Sequence, residues 1–414
     1  MATAVPPSDD PSLDAPSLDD PSLDDDEPPR TPGERPPNYW DYLRLDQLLS
    51  IQGGLEGDEA NLMPDELHFI VVHQAFELWF KLVIRELRLA RDHLAVPRVP
   101  EERIPHVVHH LRRVATIMRL AVSQFEVMET LTPQDFLAFR DKLVPASGFQ
   151  SFQMRVMEVL LGLNLETRPR YGNVDPVAHI RELARSSPSA GMAITQLERA
   201  MSETTLRAAL HDWLYRTPIR GSQPGDAGDS VVVDAFVQEY LARVADLHTR
   251  QAVAMPAALG VDPAQVQARF AQSTEQARRF LEARDEEAEQ AVQAAGPEQA
   301  EAARRRIQRV RAALVFIESY RTLPLLAWPR LLIDTIVETE EQLVLFRTRH
   351  ARMVERVIGR RIGTGGSSGV EYLDQTTEVR IFRELWTVRT LLLPRRELPP
   401  LADRSFYAFA GPTP

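Results

Sequence analysis

The sequence predicts an almost entirely α-helical fold, and three observations carry that expectation. Apolar residues recur at helical spacing over long stretches, most clearly from Pro64 to Leu87 and from Leu323 to His350. Strand signals are sparse throughout. Helix starts and breaks fall at Thr132-Pro133, at Pro145 with Ser147-Gly148, near Gly260 and at Gly296-Pro297.

The chain has 414 residues, 44% of them hydrophobic, enough for one large domain or two or three modest ones with a substantial core. It contains no cysteine, which rules out disulfides and thiolate metal sites and makes a reducing cytoplasm the expected setting. No basic segment followed by an apolar one marks a secretory signal. No apolar run is expected to span a membrane.

Residues 1–37 stand apart. They hold ten of the 31 prolines, three copies of Pro-Ser-Leu-Asp and ten acidic against two basic residues. Such a segment buries too little apolar surface to offset chain entropy and is expected to be disordered. Its charge of −8 leaves −3 of the chain's −11 on the body, so the acidic balance says little about the folded surface.

Order is expected from Asn38, where Leu43, Leu45, Leu48 and Leu49 fit a short amphipathic helix with Tyr39 and Tyr42 on one side of its start. The next helix begins near Pro64, with Asp65 and Glu66 favourable to its dipole. It is apolar on nearly every face, as a central helix is. His73 and Glu77, four apart on it, read most simply as a satisfied polar pair. His106, His109 and His110 follow on a third helix without accompanying carboxylates and read as an exposed polar face.

Arg140 lies in a mostly apolar context and calls for a defined anionic partner, an internal acid or a carboxylate ligand. Residues 165–230 hold scattered helical patterns, and residues 231–321 read as long helices with mixed charges, unlike a nucleic-acid surface. The apolar helix from Leu323 then leads to His350, just before the loop Gly363-Thr364-Gly365-Gly366-Ser367-Ser368-Gly369. The loop lacks the closing Lys-Ser or Lys-Thr of a P-loop, and its composition alone makes it a linker or an anion-tolerant loop. With no cysteine, a firmly held iron or haem would hang on a histidine.

Three stretches resemble the tryptophan 2,3-dioxygenase family: His350 with Arg356-Val-Ile-Gly359 and GTGGSSG before Tyr372-Leu373; Met128 to Arg155; and His73-Gln with Glu77-Leu-Trp. The resemblance implies a haem-binding helical bundle, ferrous haem b held by His350, and cleavage of the indole C2–C3 bond of L-tryptophan by dioxygen to N-formylkynurenine. It implies that Arg140 and Thr364 bind the amino acid, that Phe136 lines the pocket, and that Ser147 and Gly365 lie by the haem. Tyr39, Tyr42 and Leu43 would close the neighbouring subunit's site in a homotetramer. Pro64 is read at the place of the family's distal histidine, with His68 one turn on as the possible substitute. That departure leaves open an alternative, a haem monooxygenase or hydroxylase of an indole or aromatic amino acid. The expected organisation is an acidic tail (1–37), an N-terminal part of the haem domain (38–230), a helical insertion (231–321) and a C-terminal part (322–414). The expected setting is cytoplasmic, with no nucleic-acid or membrane partner.

Overall fold

The computed structural model describes residues 38–146, 148–164, 181–182, 185, 188–364 and 369–409. The acidic tail, Ser147 and Gly365 lie outside the described residues. Among the described residues the structure is helical, with no strand and one isolated bridge between Ile219 and Ser222. The described residues fall into two units, residues 38–52 and residues 53–409.

In the first unit the single expected helix is broken in two, α1 (Tyr39–Leu43) and α2 (Leu45–Leu48). The break is at Arg44, whose φ of 52° cannot continue a right-handed helix. Asn38 caps α1 by accepting from the Asp41 amide at 2.8 Å. Tyr39, Tyr42 and Leu43 are exposed.

The second unit runs α3 (Glu66–Leu94), α4 (Ile104–Met128), α5 (Pro133–Phe139), α6 (Phe152–Leu161), α7 (Pro188–Ser202), α8 (Leu206–Arg216), α9 (Asp229–Leu259), α10 (Pro263–Leu281), α11 (Glu286–Ala295), α12 (Ala300–Ser319), α13 (Ala327–Ile358), α14 (Val370–Thr377) and α15 (Arg383–Leu391). Its centre is α3, α4 and α13, with α4 packed between the other two. Phe76 meets Phe125 at 4.9 Å between ring centroids, and Phe346 meets Phe125 at 5.0 Å and Phe80 at 5.7 Å. Each buried ring stabilises the fold by roughly 1.5–3 kcal/mol. α12 belongs to the same core, packed on α8, α13 and α15.

Two expectations need correction. α3 is long and apolar enough to cross a membrane by length and composition alone. Eleven of its residues are buried, Glu66, Glu86 and Arg91 among them, and α4 and α6 pack on it, which is how a central bundle helix passes the same test. Nor are the histidines of α4 simply an exposed row. His110 Nδ1 lies 2.7 Å from buried Glu86 of α3, which also accepts from Arg113 at 2.9 Å, so the pair fastens the two helices.

The C-terminal segment is held by buried carboxyls. Glu384 of α15 accepts from Arg207 of α8 at 2.8 and 3.1 Å and lies 2.6 Å from His211 Nε2. Burial alone would raise its pKa, yet these two partners hold it well below the usual carboxylate range. Glu340, in the middle of α13, accepts from the amides of Ile381 and Phe382 and from the Trp386 indole at 2.6 Å. Glu340→Ala orphans three donors, so a loss of roughly 2–5 kcal/mol in urea unfolding is expected, with the Trp386 environment disturbed. An unchanged unfolding midpoint would show that this anchor is dispensable.

Candidate active site

α13 presents Phe346, His350, Met353 and Val357 on one side, a stripe set by the helical repeat, and all four line a cavity. α3 contributes Phe69, His73 and Phe76 at the same kind of spacing. Phe136 of α5, Arg140, Gly363 and Thr364 add further wall, and Arg155 and Glu158 of α6 with Tyr372 of α14 add polar and charged groups. The cavity is therefore built from segments nearly 300 residues apart in the chain and is largely apolar, with a few charged groups.

His350 is half-buried, facing the cavity and packed against Phe125, its ring 5.7 Å away and only 10° from parallel, with Phe346 at 6.2 Å. No hydrogen bond engages its ring among the described residues. Burial, then the neighbouring His73 and Arg155, push its pKa down to about 4, so at neutral pH it is an uncharged imidazole with a free lone pair.

His73 is the second histidine of the cavity, and its setting corrects two expectations. It is not paired with Glu77, which instead accepts from Gln153 through its side chain at 2.8 Å and its carbonyl at 2.7 Å. The Nδ1 of His73 lies 2.7 Å from the Phe69 carbonyl, and since a carbonyl only accepts, Nδ1 carries the proton. Burial lowers its pKa, outweighing the Phe69 bond and the charge of Glu77. In the neutral ring Nε2 is thus left as an acceptor. Neither Pro64 nor His68 lines the cavity: Pro64 precedes α3, and His68 sits on another side of that helix. The position read at Pro64, with His68 as its possible substitute, is thus off the cavity wall, and the histidine that faces the cavity from α3 is His73.

Arg140 follows α5, whose start is set by Thr132 accepting from the Asp135 amide at 3.2 Å. One of its terminal nitrogens donates to the Ile362 carbonyl, while its Nε is buried without a partner. Thr364 donates to the Ala146 carbonyl at 2.6 Å. These two bonds join the segment after α5 to the start of the glycine-rich loop. α13 ends at Gly359 with φ 62° and ψ −144°, a conformation open to glycine, and Gly369 at φ 60° starts α14 with the Arg361 carbonyl 3.1 Å from where a Cβ would sit. Both turns need glycine, and between them the chain returns to the cavity.

The residues fit a haem. His350 offers one neutral nitrogen, and among the described residues no group of three metal-binding side chains exists. An iron here would need equatorial ligands of its own, as a porphyrin supplies, in a cavity with apolar walls. Sequence reasoning did not single out the inward position of His73, nor the Arg155, Glu158 and Arg347 cluster. The signals for His73 were its place in the family-like stretch His73-Gln with Glu77-Leu-Trp and its spacing of four from Phe69, whose ring packs on Phe136 at 5.9 Å.

Residues 26–392 match the tryptophan 2,3-dioxygenase family. The tryptophan 2,3-dioxygenase of Sorangium cellulosum is 44% identical over 375 residues, 90% of this chain and 87% of that protein. The tryptophan 2,3-dioxygenase 2 of Ralstonia nicotianae is 44% identical over 379 residues, 91% and 98% of the two chains. A tryptophan 2,3-dioxygenase-like protein of Xanthomonas campestris is 42% identical over 281 residues, 98% of its own length but 67% of this one. A match across nearly the whole chain, on a helical fold that gathers His350, His73, Arg140 and Thr364 around one cavity, places this protein in the tryptophan 2,3-dioxygenase family.

Proposed function

We propose that this chain is a haem-dependent dioxygenase that opens the indole C2–C3 bond of L-tryptophan, both atoms of dioxygen entering the product N-formylkynurenine. The observation that carries the reading is the pair of neutral histidines in one apolar cavity, one with an unengaged ring and one with a single nitrogen fixed as acceptor.

His350 would hold the haem iron through its uncharged imidazole, and the roles of Ser147 and Gly365 beside the cofactor rest on the family resemblance alone. The haem, in its ferrous form, supplies the dioxygen chemistry. The protein's own residues bind and orient the amino acid. Arg140 takes the carboxylate, for which its planar guanidinium is matched in shape and charge and for which its Nε is unpaired. Thr364 donates its hydroxyl proton elsewhere and keeps its oxygen lone pairs for the ammonium. His73 Nε2 accepts the indole N–H, the role sought at Pro64, and Phe136 packs against the ring. Fixing both ends of the substrate sets C2 and C3 at one place, and this positioning is where much of the rate originates. The apolar wall keeps water from the reacting atoms. The monooxygenase reading rested on a cavity without an acceptor for the indole, and His73 removes that ground.

The assembly we propose is a cytoplasmic homotetramer in which Tyr39, Tyr42 and Leu43 close the site of a neighbouring copy. Their exposure on the isolated chain and the absence of cysteine support it.

Anaerobically reduced, haem-loaded protein given L-tryptophan and labelled dioxygen is expected to yield N-formylkynurenine with two labelled oxygens. A product with one labelled oxygen would sink the dioxygenase reading. His73→Ala is expected to keep its haem and lose a few-fold to about tenfold in kcat/KM, the size of one hydrogen bond. Arg140→Ala should raise KM roughly tenfold to a hundredfold with haem content unchanged, and a normal KM would remove it from substrate binding. In the haem-free protein the folded pKa of His350 lies below the ordinary 6.5, so only the unfolded chain takes up that proton between pH 6.5 and about 4. The stability tied to a neutral His350 is complete above pH 6.5 and is lost as pH falls toward 4. Urea titrations across this window should therefore slope more steeply for the native sequence than for His350→Leu; equal slopes would count against the burial argument.

A further inference from the structure

Among the described residues, two guanidinium groups on the cavity wall carry a buried Nε with no hydrogen-bond partner, those of Arg140 and Arg155. Buried polar nitrogens are rarely left so, and each calls for an explanation. Arg140 has one in the carboxylate of the amino acid. The amino acid leaves Arg155 without one.

Arg155 projects from α6 and is 5% exposed. Its described hydrogen bonding is spent through Nη1, which meets Glu158 at 2.7 Å. The other oxygen of Glu158 accepts from Arg347 of α13 at 2.9 Å, and Arg347 also reaches the Val379 carbonyl at 3.3 Å. One buried carboxylate thus serves two buried guanidiniums, and the cluster keeps a surplus positive charge against the cavity. A buried charge without a counterion is strongly disfavoured, so an anion is the expected occupant. The edge of Arg155 formed by Nε and Nη2 is the edge that a carboxylate engages through two parallel bonds. Glu158 is bonded to Arg347, one turn before His350 on α13, so the Arg155 cluster lies beside His350 on the cavity wall, whereas Arg140 is fastened to the loop at Ile362. The anion at Arg155 therefore belongs to the group that His350 holds.

We propose that Arg155, backed by Glu158 and Arg347, binds a propionate carboxylate of the haem and so sets the rotation of the macrocycle on His350. The inference rests on the reading that this cavity holds haem. Arg155 is on this account a cofactor-binding residue, and Glu158 and Arg347 are positioning residues that hold its guanidinium with the free edge turned to the ligand.

The test compares haem with haem dimethyl ester, which keeps the ring and iron but has no carboxylates. Haem-free native protein, Arg155→Gln and Arg155→Lys are each titrated with both compounds, and the ferrous carbonyl spectrum reports histidine ligation. The native protein is expected to prefer the diacid by roughly tenfold to a hundredfold. In Arg155→Gln that preference should shrink by about tenfold or more with histidine ligation retained, and Arg155→Lys should fall between. A native protein that binds the ester as tightly as the diacid overturns the proposal, as does an undiminished preference in folded Arg155→Gln. If Arg155→Gln fails to fold, the native comparison and Arg155→Lys decide on the same criteria. A protein that binds neither compound through histidine fails earlier, at the haem reading itself, and is recognised by the missing spectrum.

Discussion

The constraint on which the rest depends is the burial of an imidazole that no described residue engages by a hydrogen bond. Taking His350 out of water disfavours its charged form, and the charge of Arg155 adds to that effect. A neutral ring held between Phe125 and Phe346 is rigid and retains a free lone pair. Holding it there takes three long helices in mutual contact, so α3, α4 and α13 form both the structural centre and the walls of the site. The same packing lowers the pKa of His73, and its bond to the Phe69 carbonyl then chooses which nitrogen is left to accept.

Much of this arrangement could be read from the sequence, and the reasons differ from residue to residue. The helical class followed from periodicity and well-marked starts, and Thr132 caps α5 where its hydroxyl and Pro133 said a helix should begin. His350, Arg140, Phe136 and Thr364 were found through local motifs, and the structure gathers them at one cavity. The inward face of α3 was not legible because that helix is apolar on nearly all sides, so no stripe separates Phe69 and His73 from the rest. Only the packing of Phe69 on Phe136 and Phe139 shows which way it turns. Glu158 and Arg347 are 189 residues apart, and no periodicity announces a pair at that range. The break at Arg44 was equally hidden, since arginine carries no signal for a positive φ.

Polar groups in this core serve as fasteners between segments distant in sequence. Glu86 ties α4 to α3, Glu384 ties α8 to α15, and Glu340 ties α13 to the turn before α15. In each case one carboxyl satisfies two or three donors, which is how buried charge is tolerated without weakening the fold. The Arg155 cluster departs from that pattern by holding more cation than anion, and it does so against the cavity.

α13 has a double duty: near its middle Glu340 grips the segment around α15, and about three turns further on His350 faces the cavity. Any ligand that binds only the ordered helix adds its binding energy to the stability of the whole fold by mass action. Opening of that one continuous helix would cost the grip on residues 381–386 and the binding position of His350 together. A chain without a ligand at His350 would open more often, and would be the more readily cut by proteases.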